Sequence, residues 1–337
     1  MATRGRAPTL ESVAARAGVS RATAGRVLAG STKVRAEARE AVLRAAADLS
    51  YVTNRAARSL MTRRSDSIAF VVAEPEERFF ADPHFSFVLR GAHAGVADHD
   101  VQLVFSMITS DADRERFERF ARGGHVDGVI LLSLHGDDPL PRRLHEAGVP
   151  VMLSGRPFSP IPGLPYVDTD NEGGARSAVA LLAERGRRRI ATITGPPDMT
   201  VSIDRHAGYQ AELAVRGLRA HAVAAGDFSA ESGRRAMAEL LAAAPTLDAV
   251  FVASDLMALG ALRTLAEAGK AVPDDVAVVG FDDSPLGATT EPALTTIRQP
   301  VAAMGTALAR GLLKGIERGE PVAPVIMPTE VVLRGSA

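Results

Sequence analysis

Apolar residues near the start of the chain recur at helical spacing in two short stretches that a glycine separates. Those of the first stretch are Leu10, Val13, Ala14 and Ala17. They share one face of a helix, which we expect to end at Gly18 because glycine readily adopts the left-handed backbone of a helix C-terminus. Ser20 is placed to cap a second helix through its hydroxyl. Val27 and Leu28 return that helix to the same small core, so residues 9–29 predict a helix-turn-helix.

Small and basic side chains are left on the outer face and first turn of the second predicted helix. They are Arg21, Ala22, Thr23 and Arg26. A helix that presents such side chains at its start fits the major groove of DNA. Helical hairpins with a glycine turn also occur in proteins with no DNA role, so the pattern alone leaves both interpretations open.

Two more helices are predicted before the pattern changes. Residues 36–49 form the third, with an inner face of Ala38, Val42, Leu43 and Ala46. After a break at 51–54, Asn54 is placed to cap a short helix over residues 55–61. A helix of that length is marginal alone, so we expect it to be ordered by DNA or by a second copy of the chain.

Beyond residue 66, apolar runs of strand length alternate with amphipathic helical segments. The predicted strands of the first block are 67–73, 101–105, 127–132 and 149–153, with helices near 84–98, 111–122 and 138–147 between them. The pattern restarts after Tyr166, with strands at 189–194, near 221–224, 248–252 and 276–281 and helices at 172–185, 204–216, 229–244 and 255–268. A segment at 294–298, a helix at 300–318 and strands near 324–334 complete the chain. Such alternation predicts two similar α/β lobes, each with a parallel, doubly wound sheet.

Ligands of doubly wound sheets bind beyond the carboxyl ends of the strands. In this chain those ends are 73–75, 132–133, 154–156, 194–196, 253–255 and 280–283. If the two lobes face each other, these segments surround a cleft.

Charge is divided unevenly between the two parts of the chain. Residues 1–64 hold 13 basic and 4 acidic residues, a net charge of +9, whereas the whole 337-residue chain carries −1 and residues 65–337 therefore carry −10. A basic head is attracted to phosphate while an acidic body is repelled by it.

The chain has no cysteine, which excludes disulfides and thiolate chemistry. It begins without an apolar run and has no stretch of membrane-spanning length, so we expect a cytoplasmic, nucleoid-associated protein with no membrane partner.

Several motifs together identify a family resemblance that covers nearly the whole chain. The head contributes TLESVAARAGVS at 9–20, RVL at 26–28 and YVTNRAARSL at 51–60. The body contributes DPHF at 82–85, Asp170-Asn171, Gly173-Gly174, Gly195-Pro196, Arg205, Gly208-Tyr209, SDLMALGAL at 254–262, VAVVGFDDSP at 276–285 and LTTIRQP at 294–300. The chain resembles the lactose/galactose-repressor (LacI/GalR) family of bacterial transcription regulators.

This resemblance implies a homodimer whose heads read a pseudo-palindromic operator in double-stranded DNA. It places base and backbone contacts on the second helix and an apolar wedge, Leu60, in the minor groove. The alternative for Leu60 is packing against its own body. The expected DNA-binding residues are Thr9, Ser20, Arg21, Ala22, Thr23, Arg26, Asn54, Arg55, Ala57 and Leu60.

The resemblance also implies a body like that of periplasmic sugar-binding proteins, with a small effector, a sugar or sugar derivative, between the lobes. Arg205 and Asp282 match the family's effector-gripping pair, since a guanidinium and a carboxylate each bind adjacent hydroxyls. The alternative for Arg205 is an ion pair on the surface of a lobe, and the alternative for Asp282 is an ordinary residue of a turn. The other expected effector-binding residues are Phe80 or Phe85 as an apolar wall, and Ser254 and Asp255, which alternatively only cap a helix.

The resemblance gives the domain boundaries that we expect. They are a head at 1–52, a hinge helix and linker at 53–64, an N-terminal lobe at 65–166 plus 296–326, and a C-terminal lobe at 167–295 plus 327–337. Three residues depart from the usual pattern in the DNA-binding part, namely Gly25, Ala29 and Thr53. His84, Gly155 and Ser254 depart from it in the cleft, so the resemblance does not carry over one particular sugar.

Two other classes of function fit parts of the chain less well than a repressor does. The body alone suits a solute-binding protein, but the basic head and the missing signal argue against it. An enzyme on a doubly wound fold is disfavoured because the chain lacks GxGxxG, GxxxxGK[ST], GxSxG and HExxH, and its eight histidines lack metal-ligand spacing. We therefore expect no catalytic residues, no cofactor and no metal. Whether the effector induces or corepresses stays open.

Overall fold

A computed structural model describes residues 8–28, 31, 33–51, 64–319 and 322–337. The chain divides into two compact units, Met1–Asp66 and Ser67–Ala337. Among the described residues, no helix is both long and apolar enough to cross a lipid bilayer.

The described part of the first unit consists of three helices. They are α1 (Leu10–Ala17), α2 (Arg21–Leu28) and α3 (Ala36–Asp48). Gly18 ends α1 with φ of 67°, and the Ser20 hydroxyl accepts the Thr23 N–H at 3.1 Å at the start of α2, so both predicted boundary signals are confirmed.

Seven buried residues hold these three helices together. They are Val13, Ala14, Ala24, Val27, Val42, Ala45 and Ala46. The inner face predicted for α3 was wrong at Leu43, which is 52% exposed. Ala45 takes its place because the buried stripe of α3 is turned toward α1 and α2. The fourth helix predicted at 55–61 lies outside the described residues.

The first lobe of the second unit is built on a six-stranded parallel sheet. Its strands are β1 (Ser67–Val72), β2 (Gln102–Met107), β3 (Gly128–Leu132), β4 (Val151–Ser154), β5 (Tyr166–Thr169) and β11 (Val325–Met327), in the spatial order β11-β5-β4-β3-β1-β2. Its helices are α4 (Glu76–Ala81), α5 (Pro83–Val96), α6 (Asp111–Arg122), α7 (Leu140–Glu146) and α12 (Val301–Arg318). Continuous apolar runs such as 67–72 are buried on both faces of this sheet.

The second lobe repeats this plan. Its strands are β6 (Ile190–Thr194), β7 (Val223–Ala225), β8 (Ala249–Val252), β9 (Ala277–Asp282), β10 (Thr295–Arg298) and β12 (Glu330–Val332), in the order β12-β10-β9-β8-β6-β7, with only the β10–β12 pair antiparallel. Its helices are α8 (Asn171–Glu184), α9 (Thr200–Val215), α10 (Ala230–Ala243) and α11 (Asp255–Glu267), with a 3₁₀ turn at Gly287–Thr289. The strand–helix alternation, the parallel sheets and the two similar lobes predicted from the sequence are confirmed.

Three connections join the two lobes. The chain passes between the sheets from β5 to α8, from β10 to α12, and from β11 to β12.

The sequence pattern missed β5 and α4. The strand contains Asp168 and Thr169, which are buried polar residues and interrupt the apolar run by which a buried strand is predicted.

Close packing of α5 on α12 fixes the position of a returning helix in the first lobe. A β-carbon added at Gly91 would lie 2.0 Å from the Ala302 carbonyl oxygen, and one at Gly305 would lie 2.1 Å from that of Val88. The two helix backbones therefore approach each other at glycines on both sides, which holds α12 against the first lobe directly after it leaves the second.

Candidate functional site

The outer surface of α2 carries exposed small and basic side chains. Arg21, Ala22 and Arg26 are exposed, Thr23 is half-buried, and Ala24 faces the core. Arg21 pairs with Glu11 at 3.0 Å, both side chains being mostly in water. Such exposed pairs contribute little, so both arginines remain accessible to another ligand.

Two of the expected DNA-binding residues also have a structural task. The Thr9 hydroxyl accepts the Ser12 N–H at 3.3 Å, and the Thr9 N–H donates to the Ser12 hydroxyl at 2.9 Å, which forms a capping box at the start of α1. Ser20 caps α2. Asn54, Arg55, Ala57 and Leu60 lie outside the described residues.

A cavity of about 410 Å³ lies between the two lobes of the second unit. It is bounded by the ends of β3, β4, β8 and β9, as the strand-end rule predicts. Segments 73–75 and 194–196, which the same rule selects, do not line it. The volume falls in the range of small-molecule sites.

Arg205 lies at the floor of this cavity and reaches it from α9. Only 4% of the residue is exposed. Its Nε donates to Asn171 Oδ1 at 2.9 Å and its Nη1 donates to the Ala253 carbonyl at 2.5 Å. Its Cζ lies 3.7 Å from the centroid of the Phe281 ring. The guanidinium is thus held rigidly, and among the described residues no hydrogen bond uses its Nη2.

Asp282 faces Arg205 from the end of β9. Its Oδ1 lies 3.5 Å from Arg205 Nη1 and accepts a 2.6 Å hydrogen bond from Gln299 Nε2. Burial raises the pKa of Asp282 to about 7, although the charge of Arg205 opposes this. The backbone φ of 124° at Asp282 is unusual for a residue with a side chain. The pair is therefore a buried, strained polar element that lines a cavity, which is typical of a binding site.

Ser254 and Asp255 occupy different places at the end of β8. Ser254 lines the cavity and caps α11 through the Met257 N–H at 3.3 Å. Asp255 is fully buried behind it, where it accepts the Thr296 hydroxyl at 2.6 Å and the Ser284 N–H at 2.7 Å. Burial raises its pKa well above the ordinary value. Asp255 does not line the cavity and instead fixes the loop that follows β9.

The two candidate phenylalanines are likewise separated. Phe85 is buried and lines the cavity, whereas Phe80 is 73% exposed on α4 and does not. Phe228, which sequence reasoning missed, supplies a second aromatic wall from the other lobe, with Arg78 Cζ 5.1 Å from its centroid. It follows a strand of only three residues, so the apolar pattern gave no signal for it.

Further polar residues of the cavity were also missed as site residues. Asp168 accepts the Arg156 N–H at 3.1 Å and the Asn171 amide at 2.9 Å, and burial raises its pKa. Gln299 lies at the second connection between the lobes. Burial lowers the pKa of His84, which also lines the cavity. Arg156 lies at a predicted strand end, so that rule alone pointed to it.

Hydrogen bonds join the two lobes across the cavity mouth. Arg156 of the first lobe binds Asp204 of α9 through Nε at 2.9 Å and through Nη2 at 2.5 Å. The Thr200 hydroxyl donates to the Arg156 carbonyl at 3.0 Å. These three hydrogen bonds, two of them charge-assisted, tie the first lobe to α9 of the second.

A second bridge is centred on His135. Its Nδ1 lies 3.0 Å from the Asp198 carboxylate of the second lobe, and its Nε2 lies 3.3 Å from Glu74 of the first. The Gly136 N–H donates to the Asp198 carbonyl at 2.8 Å. Hydrogen bonding to Glu74 raises the pKa of His135, and Asp198 adds to the shift.

Comparison with known proteins places this geometry in context. The model of bacterial regulatory proteins of the lacI family matches residues 9–54, and that of a periplasmic binding protein-like domain matches residues 179–337. The transcriptional regulator CelR of Thermobifida fusca is 48% identical over 338 residues, with 99% of each chain covered. The transcriptional repressor CytR of Escherichia coli is 33% identical over 336 residues, which cover 98% of this chain and 96% of CytR.

Solved structures agree with these relatives over nearly the full chain. A complex of the regulator CelR with cellobiose has a TM-score of 0.79 at 45% identity and covers 98% of this chain and 100% of that one. A lac repressor dimer bound to operator and the anti-inducer ONPF has a TM-score of 0.85 at 27% identity, with 98% and 99% covered. The similarity therefore includes both the DNA-binding part and the two-lobed part.

Proposed function

Because the chain belongs to the lacI family of bacterial regulatory proteins, we propose that it is a DNA-binding transcriptional repressor controlled by a small sugar effector. The observation that carries this proposal is the buried Arg205–Asp282 pair, which lines a cavity between two lobes of a chain whose head exposes a basic helix. The sugar class is supported by the cellobiose bound to the similar regulator CelR.

The DNA contacts that we propose follow the exposed face of α2. Arg21, Ala22 and Arg26 point away from the helical core, and Thr9, Ser20 and Thr23 flank them near the helix starts. In the hinge, we propose Asn54, Arg55, Ala57 and Leu60 as minor-groove contacts, with Leu60 as the wedge between base steps. This part of the proposal rests on the family resemblance.

For the effector we propose that the Arg205 guanidinium and the Asp282 carboxylate bind adjacent hydroxyls of one sugar ring. Nη2 of Arg205 supplies donors, while Asp282 supplies acceptors in charge-assisted hydrogen bonds. Phe85 and Phe228 provide apolar walls and Ser254 a hydroxyl. Phe80 and Asp255 have no place in this arrangement, since neither lines the cavity.

We propose that the functional unit is a homodimer. Two of the four edge strands of the sheets, β2 and β7, carry the exposed apolar residues Phe105 and Val223. Phe79 links Phe105 to the exposed Phe80, with ring centroids 5.0 and 5.1 Å apart. Exposed edges with apolar side chains are normally covered. The dimer of the similar lac repressor supports a dimer here, and we propose that the second copy covers both edges about a two-fold axis.

Regulation then follows from linkage between two sites. An effector that binds one arrangement of the lobes more tightly shifts the population toward it. We propose that this changes the spacing of two hinge segments, residues 53–64 in each protomer, between a head at 1–52 and a body that begins at 65. An effector that favours the operator-binding arrangement acts as a corepressor, and one that disfavours it as an inducer.

Selection of genomic fragments by the purified full-length chain, followed by footprinting at fixed salt, tests the DNA-binding half of this proposal. We expect a two-fold symmetric protected site. Binding that is weak, salt-sensitive and indifferent to sequence, with and without sugars present, would contradict it.

A further inference from the structure

Gln299 joins the effector pair, Arg205 and Asp282, to the segments that connect the two lobes. This glutamine is 7% exposed and lies in the second connection, directly after β10. Its Nε2 donates to Asp282 Oδ1 at 2.6 Å, and its Oε1 accepts the Thr169 hydroxyl at 2.9 Å. Thr169 is the last residue of β5, where the first connection begins. One buried side chain thus links two connections and one member of the effector pair.

The orientation of the Gln299 amide follows from the chemistry of its two neighbours. An ionised carboxylate only accepts hydrogen bonds, so the NH₂ end of the amide faces Asp282. The oxygen end then faces Thr169, whose hydroxyl supplies a proton. Turning the amide over would set its oxygen against the ionised carboxylate. The hydrogen bond to Thr169 therefore depends on the one to Asp282.

Arg205, the other member of the effector pair, is anchored to the first connection. Its Nε donates to Asn171 Oδ1 at 2.9 Å, and Asn171 Nδ2 donates to the Thr169 carbonyl at 3.2 Å. Arg205 Nη1 lies 3.5 Å from Asp282 Oδ1. With the two hydrogen bonds of Gln299, these contacts close a ring that we call the connection ring. Its members are Arg205, Asn171, Thr169, Gln299 and Asp282.

The third connection is tied to the first one as well. The Asp170 N–H donates to the Met327 carbonyl at 2.8 Å, and the Thr329 hydroxyl donates to the Asp170 carbonyl at 3.5 Å. Movement of one lobe against the other changes the backbone of the segments that join them. The connection ring therefore places the effector pair in contact with the segments that such movement deforms.

Burial alone accounts for part of what is seen at Gln299. A buried polar side chain needs hydrogen-bond partners, so their presence is expected of any buried glutamine. Burial does not account for where the partners lie, since Thr169 belongs to another connection and Asp282 to the effector pair. Thr169 does not line the cavity. A ligand that engages Asp282 thus reaches Thr169 through Gln299.

We propose that Gln299 is a positioning residue that couples the effector pair to the connections between the lobes. This inference rests on the proposed function, because it takes Arg205 and Asp282 as the contacts of the effector. A sugar whose hydroxyls draw on the Asp282 carboxylate changes its hydrogen bond with Gln299. Gln299 transmits that change to the first connection through Thr169, so that sugar binding and the arrangement of the lobes are linked.

The coupling factor, by which saturating sugar changes operator affinity, tests this inference. Common mono- and disaccharides, among them glucose and cellobiose, are first screened for binding to the full-length chain by calorimetry. Anisotropy titrations with the operator obtained by genomic selection then give the factor for the sugar that binds. In Thr169→Val we expect sugar affinity to stay within about threefold of wild type, while the coupling factor falls from at least about fivefold to below about twofold.

Gln299→Met is expected to show the same loss of coupling, because methionine has a similar length but makes neither hydrogen bond. The double variant with Thr169→Val is expected to lose no more coupling than Gln299→Met alone, since both changes interrupt one path. A Gln299 that served only the stability of the fold would lower Tm in its variant and leave the coupling factor of the folded chain unchanged.

Thr192→Val is the matched control for Thr169→Val. Thr192 is also a buried threonine in a strand, and its hydroxyl donates to the Phe251 carbonyl at 2.9 Å within the second lobe. It belongs to neither the cavity nor the connection ring. An unchanged coupling factor in either folded variant, or an equal loss in Thr192→Val, overturns the role of Gln299 and leaves the sugar effector intact. If no sugar binds, or if a bound sugar leaves wild-type operator affinity unchanged, the proposed function is overturned and this inference with it.

Discussion

The guanidinium of Arg205 lies over the ring of Phe281, with its Cζ 3.7 Å from the ring centroid. Burial lowers the pKa of this arginine, and the nearby carboxylates, Asp282 foremost, oppose that shift. A cation held on an aromatic face in a nearly dry site has few conformations to lose when a ligand arrives. The floor of the cavity is therefore organised for its ligand in advance.

Replacing Asp282 by asparagine tests the role of this floor in effector binding. Asparagine keeps an oxygen that accepts the Gln299 hydrogen bond but loses the charge. We expect the chain to remain folded, effector affinity to fall by roughly ten- to a hundredfold, and effector-free operator affinity to stay unchanged. Fluorescence titration measures the affinity for effector, and an electrophoretic mobility shift of operator DNA measures the affinity for operator.

Asp283→Asn is the control for Asp282→Asn. This adjacent carboxylate pairs with Arg298 at 2.7 Å and does not line the cavity, so effector affinity should be preserved. Loss of operator binding in a folded Asp282→Asn chain would mean that the residue is structural rather than part of the effector site.

The His135 bridge predicts that effector affinity depends on pH. Asp198 belongs to the second lobe, so we expect this contact only when the cleft is closed, and we expect the pKa of His135 to be higher in the closed form than in an open one. Glu74 raises the pKa of His135 in both forms, so the extra stability of the closed form is fully present below the open-form pKa and is lost as pH rises through the higher closed-form pKa. The contribution of the His135 bridge by itself should favour effector binding at about pH 6 over about pH 8, by no more than about fivefold because Asp198 is half exposed.

His135→Gln isolates this contribution. Glutamine offers hydrogen bonds but does not titrate, and the groups facing position 135, namely Glu74, its partner Arg78 and Asp198, are unchanged. Asp282, whose pKa is about 7, contributes the same pH dependence to both chains. If the ratio of affinities at the two pH values is the same for wild type and His135→Gln, the bridge does not control closure.

Gly25 weakens α2, and alanine there should strengthen this helix. A β-carbon at this position would meet only Leu10 Cδ2, at an ordinary contact distance of 3.6 Å. Glycine inside a helix costs roughly 0.5–1 kcal/mol relative to alanine. Amides of α2 should therefore exchange more slowly with solvent in Gly25→Ala than in the wild-type chain. Equal or faster exchange would show that the site does not tolerate the added methyl group.

The arginines of α2 should be separable from other arginines of the head by the salt dependence of binding. Arg21→Ala and Arg26→Ala are each expected to weaken operator binding, and a lost phosphate contact lowers the logarithmic salt slope by about one. Arg44→Ala is the control, since Arg44 lies on α3 and pairs with Glu40. Anisotropy titrations at several salt concentrations measure these slopes. If only Arg44→Ala weakened operator binding, the exposed face of α2 would not be the surface that contacts DNA.

Periodicity was sufficient to predict the elements whose apolar residues face a core. It predicted α1 to α3, the two parallel sheets and the long helices, and family motifs pointed to Arg205 and Asp282. Periodicity failed where contacts between distant parts of the chain determine whether a residue is buried or lines the cavity. Asp168 and Thr169 are buried in a strand because Asn171, Gln299 and nearby N–H groups satisfy them, and Phe228 reaches the cavity from the opposite lobe. Phe80 and Asp255 were misplaced because neither motif nor spacing distinguishes a cavity wall from the surface or the core behind it.

Titration of the operator complex with the sugar that binds the cleft tests the central claim, which is that the cavity and the DNA-binding head are coupled. The account predicts that saturating sugar changes operator affinity by at least about fivefold and that operator changes sugar affinity by the same factor, with both effects lost in Asp282→Asn. A sugar that binds the cleft and leaves operator affinity unchanged would contradict it.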